Sequence, residues 1–389
     1  MMGGATEHDE AMKWFLNQAD GGDILVIRAS GSDGYNDYLF TDLGITVNSV
    51  ETIVWNAPGA STDPYVLQQV ANAEAIWMAG GDQWNYVSYW RNNAIDSTIN
   101  ANLNSRNIVI GGTSAGMAVL GGVYFTAENG TVTSTEALSN PHNTDVAISN
   151  DPFFDLPILD SVITDTHYDD PDRRGRHMVF LSRMASDWGY RSKGIACDEY
   201  TSVCIHPDGK AYVYGDAPQE EDYAYFLQMT CEVPGGPENS TLGNPLTWNR
   251  GNQAVHAYRI NGDQQGTNYF DLSDWETATG GEWQHWWVDN GTLFTEAGAA
   301  PDCSSVGIGE ANSSAFRAWP NPTSTLVAIN EWRNVPVKLH NISGQEVANL
   351  QTNGSGRLAV TDIPAGFYVA TSTSHPGTAI RIAIVRDEY

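Results

Sequence analysis

Two rhythms of apolar and polar residues alternate along the first half of this chain. The runs "DILVIRAS" (23–30), "VETIVWNA" (50–57), "AEAIWMAGG" (73–81) and "NIVIGG" (107–112) are short, apolar and closed by small or polar residues, the pattern of buried strands. Between them, "TEHDEAMKWFLNQA", "DPYVLQQVANA" and "NYVSYWRNNAIDSTINANLNS" repeat their apolar positions at helical spacing. Thr62, Asp63 and Pro64 make a helix start, with proline at the first helical position. Strand-helix alternation predicts a mostly parallel α/β sheet covered on both faces. Ligands of such folds gather beyond the carboxyl ends of the strands, where "GGDQ" and "GGTSAG" fall.

Past residue 190 the period shortens. "KGIACDEYTSVCIHPDGKAYVYG" reads as short strands with a turn at Asp208 and Gly209. Residues 230–300 hold five of the thirteen tryptophans, Trp248, Trp275, Trp283, Trp286 and Trp287. Aromatic packing in a β-rich appendage is the expectation there, ahead of a sugar-binding platform. The last segment carries period-two runs such as "VPVKLHNI" and "GFYVATSTS", as in a small β-sandwich. The expected division is residues 1–220, an appendage over 221–311, and 312–389.

Charge sharpens this picture. The 389 residues carry a net charge of −28, which excludes nucleic acid as an expected partner, because phosphate binding needs a basic surface. From Asn312 onward there are six Lys/Arg against five Asp/Glu, leaving thirteen against forty-two before it. That step marks a domain boundary near residue 312. No apolar run is long enough to span a bilayer. The four cysteines, Cys197, Cys204, Cys231 and Cys303, form no C-x-x-C pair, so neither a zinc site nor any other metal or cofactor is expected. Three disulfide pairings, or buried free thiols, remain open. The N-terminal "MMGGATEHDEAMKWF" has no signal-peptide pattern.

The chemistry centres on Gly112, Thr113, Ser114, Ala115 and Gly116, a G-x-S-x-G nucleophile elbow between a strand and a helix-compatible segment. Such a turn exposes the serine hydroxyl above a helix N-terminus, whose amides favour developing negative charge. His167, in "VITDTHYDDPDRRGRHMVF", ends an apolar run and is the candidate base. The orienting carboxylate is Glu199 or Asp198 in "GIACDEYTS"; adjacent strand residues face opposite ways, so one of the two can serve. The amides of Gly81 and Ala115 are the candidate oxyanion hole, and Asp82, Gln83 and Asp165 are candidate substrate contacts. Arg173, Arg174 and Arg176 either hold a substrate carboxylate or neutralise Asp165, Asp169, Asp170 and Asp172.

"AGGDQ", "GGTSAG", "DTHY" followed by arginines, and "GIACDE", in this order over residues 3–215, resemble the cyanophycinase branch of serine peptidases related to dipeptidase E. The resemblance implies a flavodoxin-like or glutamine-amidotransferase-like fold. It makes Ser114 the nucleophile, His167 the base and Glu199 the acid, and implies cleavage of cyanophycin to β-aspartyl-arginine dipeptides. Thr166 replaces the family's glutamine, and "DDPD" lengthens the gap to the first arginine, so specificity departs from the pattern. Met1 to Gly4 stand where the family has just completed its first strand, which fits a shortened chain or a different start. "WPNPTSTLVAI", "VKLHNISGQEV", "LAVTDIPAGFYVATS" and "IRIAIVRD", over 313–389, resemble the sorting domain of the type IX secretion system. That implies export to the surface or medium, contact with the secretion machinery, and oxidising surroundings for the cysteines. The competing readings are an aspartyl dipeptidase or esterase on the same elbow, and a non-catalytic glycan-binding or adhesion protein. A homodimer is an open option.

Overall fold

The computed structural model describes residues 1–233, 235–303, 318–319, 323–329, 332–341 and 345–386. The chain divides into two compact units, Met1–Asp302 and Cys303–Tyr389. The expected boundary at residues 311 and 312 lies outside the described residues.

Within the first unit, the four predicted early strands form at Asp23–Arg28, Ser49–Val54, Ala75–Met78 and Val109–Gly112. They pair in parallel, with Ser49–Val54 at one edge and Val109–Gly112 at the other. Ala75–Met78 is buried along its whole length, as expected of a strand covered on both faces. The helix Pro64–Asn72 begins where Asp63 accepts the amides of Tyr65 and Val66, with Pro64 in the first turn. The third helical run is broken in two, Gln83–Trp90 and Ala94–Arg106. Asn92 takes a φ of 56°, and Asn93 and Asp96 then close a capping box that starts the second helix.

The parallel pattern does not continue into one sheet. Val162–Asp165 and Lys193–Cys197 pair in parallel with each other, but in a separate six-stranded sheet. That sheet extends through Tyr223–Met229, Val255–Asn261, Gly281–Asp289 and Thr292–Ala297, all antiparallel. The expected appendage is therefore continuous with the strand that leads to Glu199. Its tryptophans act mainly as packing: Trp248, Trp275 and Trp286 are buried, which removes the main support for a sugar platform. Ser202–Ile205, Lys210–Ala217 and Asn268–Asp271 make a third sheet. The turn at Gly209 (φ 92°) closes its hairpin, where the His206 amide donates to the Lys210 carbonyl. Cys231 and Cys303 are disulfide-bonded. Cys197 and Cys204 are free and buried, and burial pushes each thiol up to about 12, so both are inert at neutral pH.

The second unit has two antiparallel sheets among its described residues. Val327 and Ile329 from one, and Val337, Leu339, Ala370 and Ile382 from the other, share a single core with Trp332. This is a small β-sandwich. No helix among the described residues is long and apolar enough to cross a membrane.

Candidate active site

Ser114 sits where the strand Val109–Gly112 turns into the short helix Ala115–Ala118. Its backbone is in an uncommon conformation, φ 51° and ψ −117°. Glycines on either side make the turn possible. A Cβ on Gly112 would lie 2.6 Å from the Gly116 carbonyl carbon, and one on Gly116 would lie 2.0 Å from the Met78 carbonyl oxygen. Two backbones thus pass where no side chain fits, and a non-glycine residue is held in a strained region, as often happens at functional sites. Thr164 pins the helix from the other sheet by donating to the carbonyls of Met117 (2.9 Å) and Ala118 (3.2 Å).

His167 follows the strand Val162–Asp165, also at positive φ, 47°. Its Nε2 lies 2.8 Å from the Ser114 Oγ, and its Nδ1 bonds the Glu199 carboxylate. Glu199 lies just past the strand Lys193–Cys197, the neighbour of the strand before His167. A carboxylate can only accept, so Nδ1 carries the proton and Nε2 is left to accept from the serine hydroxyl. All three side chains are half-buried, partly shielded yet reachable.

Asp198 takes no part in this relay. It is 2 % exposed, and one of its oxygens accepts the Tyr223 amide at 2.8 Å. Burial pushes its carboxyl up to about 7, with the Tyr223 amide opposing and the charges of Asp169 and Asp222 adding to the rise. The folded value lies above the ordinary 3.8. Asp198 is therefore well tolerated while neutral, and its burial costs stability as pH rises from about 4 through 7. In urea titrations Asp198→Asn should gain on the wild type by roughly 2–3 kcal/mol between pH 5 and pH 8. Parallel pH profiles for the two proteins would contradict this.

Several expected substrate contacts are occupied within the fold. Arg176 and Asp165 form a buried bidentate pair, their side chains 4 % and 3 % exposed. Burial would raise the Asp165 carboxyl, but the Arg176 charge outweighs it and holds the group below its ordinary range. Both are thus removed from the candidate substrate contacts. Arg174 is paired bidentately with Asp172. Asp82 caps its helix by accepting the Trp84 amide, and the Gln83 amide group donates to the Phe125 carbonyl at 2.9 Å. Arg173 differs from the other two arginines. Its Nη1 donates to the Thr166 carbonyl, next to His167, at 2.9 Å, and among the described residues no carboxylate pairs with it. His177 is fully buried, and burial pushes it down to about 4, so it stays neutral and is no rival base. Gly80 borders the serine: a Cβ there would be 3.5 Å from the Ser114 Cβ.

A cavity of about 370 Å³ lies between the Val109–Gly111 edge and Ser202–Ile205, lined by Met1, Met2, Trp77 and Leu159 among others. Neither Ser114, His167 nor Glu199 lines it, so it is separate from this chemistry. No group of His, Cys, Asp and Glu suited to a metal occurs among the described residues.

The model of peptidase family S51 matches residues 34–210, a span holding Ser114, His167 and Glu199. The model of the secretion system C-terminal sorting domain matches residues 317–386. The chain carries a family S51 peptidase domain and a type IX sorting domain. No curated protein matches it. Among solved structures it is similar to a peptidase from an acI-B1 Actinobacterium, at 18% identity and a TM-score of 0.42, over 56% of this chain and 86% of the other. A peptidase-E-type protein from Listeria monocytogenes EGD-e is similar at 10% identity and a TM-score of 0.34, over 55% and 96%. The S51 match points to a serine-type peptidase, and the sorting-domain match points to secretion through the type IX system.

Proposed function

We propose that this S51 peptidase cleaves aspartyl peptides, cyanophycin-like polymers among them, through an acyl-enzyme on Ser114. The observation that carries the reading is the continuous hydrogen-bonded path from the Ser114 Oγ through the His167 imidazole to Glu199. His167 takes the hydroxyl proton as Oγ attacks the scissile carbonyl. The developing oxyanion is received by the amides of Gly81 and Ala115, the latter at the start of a helix. His167 then returns the proton to the leaving amine, and a water molecule, deprotonated by the same ring, releases the acyl group. Glu199 keeps the tautomer and stabilises the imidazolium.

Arg173 supports an acidic substrate. It is a guanidinium without a carboxylate partner among the described residues, anchored beside His167, and suited to a bidentate carboxylate bond. The domain reading that goes with this is a peptidase region over 1–220, a β-rich extension over 221–311 and a sorting domain over 312–389 that engages the secretion machinery. Incubation with cyanophycin, with N-terminal aspartyl dipeptides and with simple esters, followed by mass analysis, tests the substrate class. Release of β-aspartyl-arginine or of free aspartate is the expected outcome. Turnover of esters alone, with both acidic substrates intact, would overturn the specificity while leaving the nucleophile in place.

A further inference from the structure

Three consecutive carbonyls near the N-terminus face the three catalytic segments. The Met2 carbonyl accepts the Ser114 amide at 3.1 Å, the Gly3 carbonyl accepts the His167 amide at 2.8 Å, and the Gly4 carbonyl accepts the amide of Tyr200, beside Glu199, at 3.3 Å. The return bonds complete the stitching: the Met2 amide donates to the Gly112 carbonyl, and the Gly3 amide to the Thr201 carbonyl, both at 3.0 Å. Ser114 ends one sheet, whereas His167 and Glu199 follow strands of another. Val123 and Ile163 also bridge toward the second sheet, but Met2–Gly4 bonds all three catalytic segments at once.

We propose that Met2-Gly3-Gly4 is a main-chain clasp that sets the catalytic geometry, with Gly3 and Gly4 as positioning residues. The identity of both glycines follows from what surrounds them. Gly4 has a φ of 134°, and a Cβ there would lie 2.2 Å from Cε1 and 2.4 Å from Nε2 of His167. The ring has no free direction in which to yield, because Ser114 holds one nitrogen and Glu199 the other. A Cβ on Gly3 would lie 1.9 Å from the Asp198 carbonyl oxygen and 2.6 Å from that of Cys197, so the displaced element is the backbone leading into Glu199. One glycine thus leaves room for the base and the other for the segment that carries its acid.

The inference rests on the triad proposed above, and its test separates the two. The probe is a fluorophosphonate, whose labelling rate reports serine reactivity without a known substrate. Gly4→Ala should lower that rate by about 100-fold or more, the cost of a misplacement near 1 Å. The low-field proton resonance of the His167–Glu199 hydrogen bond should be lost, while the far-UV and near-UV circular dichroism stay as in the wild type. Gly3→Ala should act in the same direction. Gly130→Ala is the control: its φ is 106°, with nothing within 4 Å of the added methyl, so it shares the backbone penalty without touching the triad and should label as fast as the wild type. Labelling of Gly4→Ala at the wild-type rate would overturn the clasp while leaving the triad intact. So would the loss of near-UV signal in both the Gly3 and Gly4 variants, since the segment would then be structural. If Ser114→Ala still labels, the triad reading itself fails, whatever the glycine variants do.

Discussion

Ser114→Ala should lower turnover by roughly three to six orders of magnitude and leave the fold intact. The size follows from what the hydroxyl does. In the proposed mechanism it is the atom that forms the acyl bond, and the free thiols Cys197 and Cys204, buried and held well above neutral pH, do not replace it. The residual rate belongs to the oxyanion donors and binding alone. The substitution removes one oxygen from a half-buried position and keeps a Cβ at φ 51°, so no new strain enters. A variant that retains a tenth of wild-type turnover, measured by mass detection of products, would remove Ser114 from the reaction.

Glu199→Gln comes next, with a loss on the order of 10⁴-fold in turnover and little change in substrate binding. Glutamine keeps the shape of the side chain but can present a donor to Nδ1. That stabilises the imidazole tautomer whose Nε2 bears the proton and cannot take one from Ser114. Asp198→Asn, one residue away, should stay within a few-fold of the wild type, because its carboxyl bonds the Tyr223 amide and not the imidazole. Reversal of the two effects in steady-state assays would make Asp198 the acid.

Local patterns made much of this legible from the residues. The alternation of short apolar runs and helical spacing is a property of consecutive positions, so the strands at Asp23–Arg28, Ala75–Met78 and Val109–Gly112 could be read directly. The elbow could be read because the glycines that permit it are two residues from the serine on either side. Long-range pairing was another matter. Nothing in "VITDTHY" says that its strand joins a different sheet from "NIVIGG", since both read as short apolar runs. The choice between Asp198 and Glu199 fell just past the end of the strand Lys193–Cys197, where the period-two alternation no longer applies. Arg176 and Asp165 looked like a substrate site because a buried ion pair and a ligand-binding pair have the same composition; burial tells them apart. The break at Asn92 was hidden for a related reason, as asparagines are frequent throughout that run and only one takes φ 56°. Gly3 and Gly4 stood out in the sequence only as an early pair. Their closeness to His167 and Asp198 spans more than 160 positions of chain, and no local signal could have found it.

The central claim is that His167 activates Ser114, and the most direct measurement is the site and rate of covalent capture by a fluorophosphonate. Peptide mapping of the wild type should give one adduct, on Ser114, and His167→Ala should show no adduct in the time that saturates the wild type. An adduct on another residue, or equal labelling without the imidazole, would contradict the account.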